Sequence, residues 1–504
     1  MKKYILIVLA LFGITLINSC SEDDLELSNP NQLSPDTFFS NESQVESSVN
    51  AAYANLQPFG LYGRLIFYMM DNMSHENSGN GQQEGDKVTF SDFSFDSSLP
   101  SIKDYWDGCY RGINKANFVI ANTEKINALS EGALTDAKKA KYIGEARFLR
   151  AHYYWLLVNR YGGVPIYLGD GTDNAEGQPR STKAAVIELI IDDLKYAATN
   201  LLDKNAETPG RATKGAAHAF LGKVYLYQES YDLALVEFNK LVGYDLETNY
   251  FDNFKEETEH GIESIFEVEY DIALGTEQFW WSPVNGTGPN HATKRGQDYG
   301  VLDWFNTYPS DDLVAEFETG DNRFANSFYI AGDTYNNGDN TFIASDFAEN
   351  GGNIRPAAWK KYQNYYKQPS ENGESGINVK VLRFSDVLLM MAECENQRPG
   401  GSQSTAVGFV NRVRARAGAT TGGTFPLLST SLSKEQVFNA IVHERKVELS
   451  GEQVRFDDIL RWGIAGTELA GTNFQVGKNE LWPIPDAEIS SNVNINSEDQ
   501  NPGF

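Results

Sequence analysis

The sequence predicts a mostly α-helical fold in which helix pairs build a scaffold and an irregular, loop-rich segment interrupts them. Three observations predict it. Helical periodicity dominates to about residue 245 and resumes over about 379–465. One stretch of the first region matches the spacing of a tetratricopeptide (TPR) helix pair. Between the two regions, over about 247–378, long Gly- and Asn-rich stretches break the pattern. The composition is globular, with 504 residues of which 41% are hydrophobic and 22% charged.

The N-terminus combines a cationic start, an apolar run and a cysteine. Two lysines precede an apolar run over 4–17 that is too short for a membrane span, and small or polar residues lead to Cys20. This pattern is typical of a bacterial lipoprotein signal, which is cut before the cysteine so that the thiol can be lipidated; a simple secretory signal is the alternative. We expect a signal peptide over 1–19, a lipid anchor and tether over 20–40, and a single domain over 41–504.

The residues after Cys20 are acidic. Residues 21–24, Ser-Glu-Asp-Asp, resemble a signal that sends some lipoproteins to the outer face of the outer membrane, and a solvated linker is the alternative. The formal charge of the chain is −27, and it becomes −29 once the signal and its two lysines are removed. An acidic surface repels phosphate backbones, so the charge argues against a nucleic-acid partner.

Two helices in the first region have clear start and stop signals. One is predicted over 135–161, and it is closed by Gly162 and Gly163 with Pro165 just beyond. The other follows Thr182, a suitable N-cap residue. Its apolar face is formed by Ile187, Ile190, Ile191 and Leu194.

The TPR match lies over 212–242. Its five matching positions are Leu221, Gly222, Tyr225, Ala234 and Phe238. The glycine lets the two helices approach, the alanine lies at their close contact, and the aromatic rings fill the space between them. The late proline of the motif is absent, since Leu246 takes its place. One repeat cannot bury its own face, so further repeats are expected, and 383–418 is a looser candidate.

The region over 247–378 carries loops and one strand signal. Residues 262–270 alternate between apolar and polar side chains, as in a half-buried strand. Polar, Asn- and Gly-rich stretches such as 336–340 surround it, and 77–87 is another such stretch. Loops held on a rigid scaffold are where binding residues concentrate, so this region is the expected ligand region.

Cysteine usage and hydropathy add two expectations. Cys109 and Cys394 lie among apolar neighbours in helical sequence, which predicts two buried free thiols and no disulfide. After the signal, no stretch approaches about 18 apolar residues, so no transmembrane helix is expected.

None of the candidate catalytic and metal-binding motifs has the required residue at every position. His443-Glu444 lacks the second histidine of a zinc motif, because Val447 holds that position. A loop starting at Asp333 resembles a calcium loop, yet its twelfth position is Ala344 and not a glutamate. There is no nucleophile elbow and no phosphate-binding loop. A carboxylate pair for glycoside hydrolysis stays open, since 69 acidic residues offer many pairs. We therefore expect a protein that is not an enzyme, without a cofactor or metal.

Several segments resemble one family, the SusD/RagB outer-membrane lipoproteins. The first are Glu-Ala-Arg-Phe-Leu-Arg-Ala at 145–151, Tyr-Gly-Gly-Val-Pro at 161–165, Gly-Arg-Ala-Thr-Lys-Gly-Ala-Ala at 210–217 and Val-Leu-Arg-Phe at 381–384. The others are Asn-Arg-Val-Arg-Ala-Arg-Ala-Gly at 411–418, Glu-Arg at 444–445, Arg-Phe-Asp-Asp-Ile at 455–459, Arg-Trp-Gly at 461–463 and Pro-Ile-Pro at 483–485. Together with the lipoprotein start, they span nearly the whole chain in order.

The resemblance implies a SusD-like fold, with TPR-like helices along one side and a loop-rich ligand surface. It implies a cell-surface lipoprotein of the outer membrane, anchored at Cys20 and facing the extracellular side. It also implies a partner, a TonB-dependent transporter of the SusC type, to which the protein delivers a captured glycan or, in some members, a peptide.

Charged residues of these segments are interpreted as structural. They lie at or beside apolar helix faces, where partly buried ion pairs would fix helix packing. The residues are Arg147, Arg150, Arg383, Arg414, Glu444, Arg445 and Arg455. Two tryptophans of the helical segments, Trp155 and Trp462, are predicted to lie in the core.

Aromatic residues of the loop-rich region are the candidate ligand contacts. Sugar rings stack on flat aromatic faces, and amides, carboxylates and arginines bind their hydroxyls. Trp280 and Trp281 are the best candidates, and since adjacent residues of a strand point in opposite directions, we expect one of them to face the ligand. The other candidates are Tyr299, Trp304, Tyr335 and Trp359 and, where the resemblance places polar sugar contacts, Arg64, Asp71, Asn72 and His75.

The acidic charge favours an uncharged ligand, and a neutral glucan-type oligosaccharide is our expectation. Two alternatives stay open from the sequence. One is a peptide-binding member of the same family, which would share every scaffold motif. The other is a TPR-type adaptor lipoprotein that binds a protein through its helical groove.

Overall fold

The computed structural model describes residues 38–79, 85–169, 177–274, 291–349, 352–371 and 373–504. The predicted signal peptide and Cys20 lie outside these residues. Helices α1 to α9 are Glu42–Ala54, Leu65–Met73, Gly85–Asp92, Pro100–Ala121, Thr123–Asn127, Asp136–Tyr161, Lys183–Asn200, Lys214–Tyr227 and Tyr231–Phe238. Helices α10 to α18 are Arg295–Tyr299, Asp311–Glu316, Arg323–Ser327, Phe384–Gln397, Gln403–Arg416, Lys434–Glu448, Arg455–Arg461, Ala465–Glu468 and Asp486–Ser491.

The long helices pack in a row, each against its neighbours. The order of neighbours is α1, α4, α6, α7, α8, α9, α13 and α14, and α15 packs against both α13 and α14. One large apolar core runs through these helices, and Leu149, Val224 and Leu389 are among its fully buried members. The mostly helical fold class is therefore confirmed, with the helix row as its scaffold.

The predicted helix starts are confirmed in detail. Helix α6 begins after Thr135, whose side chain accepts a hydrogen bond from the Lys138 N–H, and it ends at Gly162 with φ of 72°. Helix α7 begins after Thr182 in the same way. N-cap hydroxyls satisfy the amide groups that the first helical turn leaves unpaired, so local sequence fixes these boundaries.

The TPR-like pair is α8 and α9. Ala234 and Phe238 are buried between the helices, and a side-chain carbon on Gly222 would lie 2.5 Å from the Phe238 ring. The looser candidate over 383–418 is a second pair, α13 and α14, with Ala392 and Ala406 buried. The repeat prediction is confirmed for both pairs.

Short elements make up the region between the two helical parts. Strands β1 to β8 are Asn77–Gly79, Ser264–Val268, Thr307–Pro309, Phe328–Tyr329, Thr334–Tyr335, Asn340–Thr341, Ala358–Trp359 and Val379–Arg383. Within the described ranges they form four two-stranded antiparallel sheets, β1–β3, β2–β8, β4–β7 and β5–β6. Small aromatic clusters, separate from the main core, stabilise this region.

Two expectations, one about a strand and one about a loop, are wrong in part. The predicted strand over 262–270 forms as β2, but all five of its residues are buried, so its two faces do not alternate between core and solvent. Its polar side chains are buried because Glu267 pairs with Lys380 of the neighbouring β8. The stretch over 77–87 is not all loop, since it contains β1 and the start of α3.

Two further expectations concern thiols and membrane spans. Cys109 and Cys394 are buried and free, as predicted. Among the helices of the described residues, none is long and apolar enough to cross a membrane.

Candidate functional site

Arg64 is fixed at the junction between a π-helical turn, Phe59–Gly63, and α2. Its guanidinium donates two hydrogen bonds to the Asp298 carboxylate, at 2.8 and 2.9 Å. Asp298 is fully buried in α10, while the Arg64 side chain keeps 13% of its surface exposed. A bidentate pair of this kind holds the guanidinium in one orientation at the surface.

Trp304 lies over this ion pair and is half-buried. The Arg64 guanidinium carbon lies 5.9 Å from its ring centre, and the Lys294 ammonium lies 5.1 Å from it. Burial lowers the pKa of Lys294 to about 8. Two cations therefore hold the indole ring in place, and a ring held in advance loses little entropy when a ligand stacks on it.

Tyr335 lies in the same region, connected to Trp304 through Tyr365. The Tyr365 hydroxyl donates to Asp303, the residue before Trp304, at 2.6 Å, and its ring meets the edge of Tyr335 at 6.2 Å. Tyr335 is half-buried on the β5–β6 hairpin, and Phe342 covers one face of its ring at 4.2 Å. Of the predicted site residues, the structure thus brings Arg64, Trp304 and Tyr335 into one region.

Four predicted contacts are buried and support the fold. Asp71, Asn72, Tyr299 and Trp359 are all 0% exposed, so the expectation that they contact a ligand is wrong for this structure. They belong to a chain of hydrogen bonds below the surface: Trp359 donates to Asn77, Asn77 donates to Tyr299, and Tyr299 donates to Asp71. Burial raises the pKa of Asp71, although Arg295 opposes the shift.

Of the remaining predicted residues, one makes its contacts with α3 and the residue after it, and two lie outside the described ranges. His75 is half-buried, with Nε2 at 3.1 Å from the Ser91 carbonyl and its ring stacked on Phe93. Trp280 and Trp281 lie outside the described residues. Shortly after that segment, the Thr293 N–H donates to the Ser375 carbonyl and the Lys294 N–H donates to the Gly63 carbonyl beside Arg64.

Two family models match consecutive parts of the chain. The SusD family matches residues 262–504, and a family described as starch-binding and associating with the outer membrane matches residues 23–226. The chain is SusD-like, with a match in each of these two parts. The two models together match an N-terminal part of the chain, which contains the first helices of the row, and a C-terminal part that reaches residue 504.

Known relatives and solved structures agree with this assignment. The SusD-like protein P2 of Formosa agariphila is 28% identical over 534 aligned residues, which cover 100% of both chains. A solved SusD homolog from Bacteroides thetaiotaomicron has a TM-score of 0.78 at 22% identity, over 93% of this chain and 98% of that one. A solved laminarin-binding SusD-like protein has a TM-score of 0.72 at 25% identity, over 92% and 100% of the two chains.

The signature segments of this SusD-like chain form buried ion pairs, as predicted. Glu448 lies at the centre and accepts hydrogen bonds from Arg323, Arg383 and Arg416. The other pairs are Arg147 and Arg150 with Asp193, Arg414 with Glu318 and Glu444, Arg445 with Asp386 and Asp458, and Arg455 with Glu468. These charges connect helices of the scaffold to each other and to the loop-rich region, and none of them lies at the Trp304 surface.

One group of residues has the composition of a metal site. In the part of the chain that the structure describes, His260, Glu267 and Glu269 place ligand atoms within 4.8 Å of one another. Glu267 already accepts hydrogen bonds from Lys380 and Asn378, and His260 contacts Glu269 at 3.1 Å. The cationic Lys380 beside the group opposes a second cation, so we interpret these residues as ion pairs.

Sequence reasoning missed Asp298 and Tyr365 as residues that organise the site. Asp298 lies 234 positions from its partner Arg64, and Tyr365 lies 62 positions from Asp303. Neither residue belongs to a local motif. A contact map would have found them, and a single sequence holds no such signal.

Proposed function

We propose that this SusD-like chain is a cell-surface lipoprotein that captures an oligo- or polysaccharide and delivers it to a TonB-dependent transporter of the SusC type for import. It acts by binding and not by catalysis. The observation that carries the proposal is Trp304, a half-buried indole held in place by Arg64 and Lys294. A fixed aromatic ring beside polar side chains is the arrangement that sugar rings and their hydroxyls require.

The balance of charge at this surface supports a neutral ligand, of the glucan type. The two cations near Trp304 face two acids. Arg64 pairs with Asp298, and burial lowers the pKa of Lys294 although the nearby Asp298 and Glu374 carboxylates oppose that shift. A polyanionic glycan would find no excess of positive charge here, and the −27 formal charge of the chain opposes it further. The laminarin-binding relative suggests neutral β-glucans as the first probes.

The sequence before the described residues supports a lipid anchor at Cys20, followed by an acidic segment. The description of the matching family as associating with the outer membrane is consistent with this location. Membrane fractionation of a Cys20→Ser variant tests the anchor: the protein should leave the membrane fraction, and full retention would contradict the assignment.

Affinity electrophoresis through gels that contain laminarin, starch, xylan or a polyanionic polysaccharide tests the proposed function. We expect a neutral glucan to retard the protein, with a Kd of roughly micromolar order, and added salt to leave the retardation unchanged. Retardation by none of the polysaccharides, together with binding of oligopeptides, would replace the proposal with the peptide-binding alternative. Retardation that salt abolishes would indicate a charged substrate.

A further inference from the structure

A second aromatic groove lies on the helical scaffold, in a part of the molecule that the proposed function does not use. It occupies about 280 Å³ between the end of α8, the start of α9, α13, α15 and the end of α16. Its walls include Tyr227, Tyr231, Phe438 and Trp462, all half-buried. Ligand pockets in proteins span roughly 300–1,000 Å³, so this groove suits a small part of a ligand.

Trp462 was predicted to lie in the core, and the structure places it at this groove instead. It is the C-cap residue of α16, one position past the last helical residue, and it stays half-buried at the surface. Its indole N–H donates to Glu393 at 3.0 Å, and the Phe438 ring meets it edge to face at 5.8 Å. The ring is therefore fixed from two sides and still partly open.

Arg461 holds two of the aromatic rings in place. Its guanidinium lies 4.7 Å from the Trp462 ring centre and 5.1 Å from that of Tyr227. Its charge is fully compensated by Glu393 and Asp458. A basic side chain of a peptide would meet this cation at short range and be repelled by it.

Polar groups complete the wall. The Tyr227 hydroxyl is buried and has no hydrogen-bond partner among the described residues. Glu229, in the turn between α8 and α9, and Gln397, at the end of α13, add an exposed carboxylate and an amide. Fixed aromatic rings with an exposed carboxylate and an amide nearby match the two kinds of surface that a sugar presents.

We infer that this groove is a second saccharide-binding site, which takes one or two rings of a neutral glycan. The inference rests on the proposed function for its ligand class, but it concerns a different surface. Two weak sites on one molecule would increase the affinity for a long polysaccharide more than for a short oligosaccharide.

The test isolates the second site by removing the first. The full-length protein carrying Trp304→Ala is examined by saturation-transfer NMR with laminarihexaose, cellohexaose, maltohexaose and xylohexaose. At least one of them should still bind, at roughly millimolar Kd. That binding should fall about tenfold or more in Trp304→Ala/Trp462→Ala and in the milder Trp304→Ala/Tyr231→Ala. It should persist in Trp304→Ala/Tyr225→Ala, which changes a half-buried tyrosine of the same helix pair outside the groove.

Three outcomes would overturn the inference. If the unsubstituted protein binds a hexasaccharide and Trp304→Ala binds none, the second site does not exist and the proposed function stands. If residual binding is equal in all three double variants, the site lies elsewhere. If the unsubstituted protein binds none of the four sugars, the proposed function fails and this inference fails with it.

Discussion

Trp304 is the residue on which the proposed site depends most directly. Its ring is positioned by Arg64 and Lys294, and removal of the ring leaves Arg64 paired with Asp298 and Lys294 hydrogen-bonded to the Gly373 carbonyl. The indole therefore contributes a binding surface without being needed to hold the ion pair. This separation allows binding and stability to be tested independently.

We expect Trp304→Ala to weaken glycan binding several hundredfold, from roughly micromolar toward millimolar Kd, since it removes both a stacking contact worth on the order of 1 kcal/mol and the apolar area that the ring buries. Calorimetric titration with the best-bound oligosaccharide measures the change. Trp304→Phe is the matched control, and it should keep most of the affinity because it keeps a flat ring. Unchanged binding in Trp304→Ala would contradict the site assignment.

His443 makes part of the stability depend on pH. It contacts Glu316 at 2.6 Å and Glu318 at 3.2 Å. Burial lowers the pKa of His443, but the Glu316, Glu444 and Glu318 carboxylates outweigh burial and raise it above its ordinary value. The hydrogen bond from His443 in turn lowers the pKa of Glu316 to about 2. The charged imidazole thus stabilises the folded state below its unfolded pKa, and this contribution is lost as pH rises through the folded pKa.

His443→Gln should therefore lower the free energy of unfolding by about 1 kcal/mol near pH 5.5 and by much less near pH 8.5. Urea denaturation at the two pH values measures it. His152→Gln is the control, because burial lowers the pKa of His152 to about 3 and keeps it neutral at both values. An equal loss at both pH values in His443→Gln would contradict the ion-pair interpretation.

At the scale of elements, the α8–α9 pair shows how a repeat motif positions helices. Gly222 allows Phe238 to lie against the backbone of α8, and any larger residue would displace that ring. This close approach sets the distance between α8 and α9, and Tyr231, the first residue of α9, lines the groove.

Gly222→Ala should lower the free energy of unfolding by about 1–3 kcal/mol, because its new carbon overlaps the Phe238 ring. Gly408→Ala is the matched control in α14: nothing lies within 4 Å of the added carbon. There the substitution should stabilise by about 0.5–1 kcal/mol through helix propensity. Chemical denaturation measures the free energy of unfolding of both variants. An equal change in Gly222→Ala and Gly408→Ala would contradict the close-contact argument.

Elements with local signals were predictable from the sequence. The N-cap hydroxyls of Thr135 and Thr182, the stop at Gly162 and the TPR spacing act within a few residues, so one sequence contains them. The burial of β2 on both faces was not predictable, because its partner β8 follows more than a hundred residues later.

The sequence predicted the region of the chain that contains the candidate site, but it did not predict each residue of the site. Trp304 and Trp359 look alike in sequence, yet Trp359 is buried by a hydrogen bond to Asn77, which lies 282 positions away. Trp462 was predicted to be in the core and lies at a groove, since the end of a short helix decides its exposure. Which aromatic residue turns inward depends on long-range contacts that a single chain does not reveal.

At the scale of the whole molecule, buried charges connect the scaffold to the loop-rich region. Glu448 of α15 is fully buried and binds Arg323 of α12, Arg383 of β8 and Arg416 of α14. Burial raises the pKa of Glu448, but Arg416, Arg383 and Arg323 outweigh it and hold that pKa well below its ordinary range. One carboxylate thus joins four elements that are distant in sequence.

Glu448→Gln should lower the free energy of unfolding by about 3–5 kcal/mol, because it leaves buried arginines without their counter-charge. Glu435→Gln is the control at the exposed start of the same helix, and it should cost less than about 1 kcal/mol. Thermal unfolding measures both variants. A loss of stability in Glu448→Gln as small as in Glu435→Gln would show that the network does not hold the two regions together.

The capture of a neutral glycan is tested most directly by calorimetric titration of the purified protein with laminarin oligosaccharides, other neutral oligosaccharides and oligopeptides. We predict that at least one neutral oligosaccharide binds with a Kd of roughly micromolar order, and that its affinity does not change with added salt. Binding of oligopeptides in the absence of any saccharide binding would contradict the proposal.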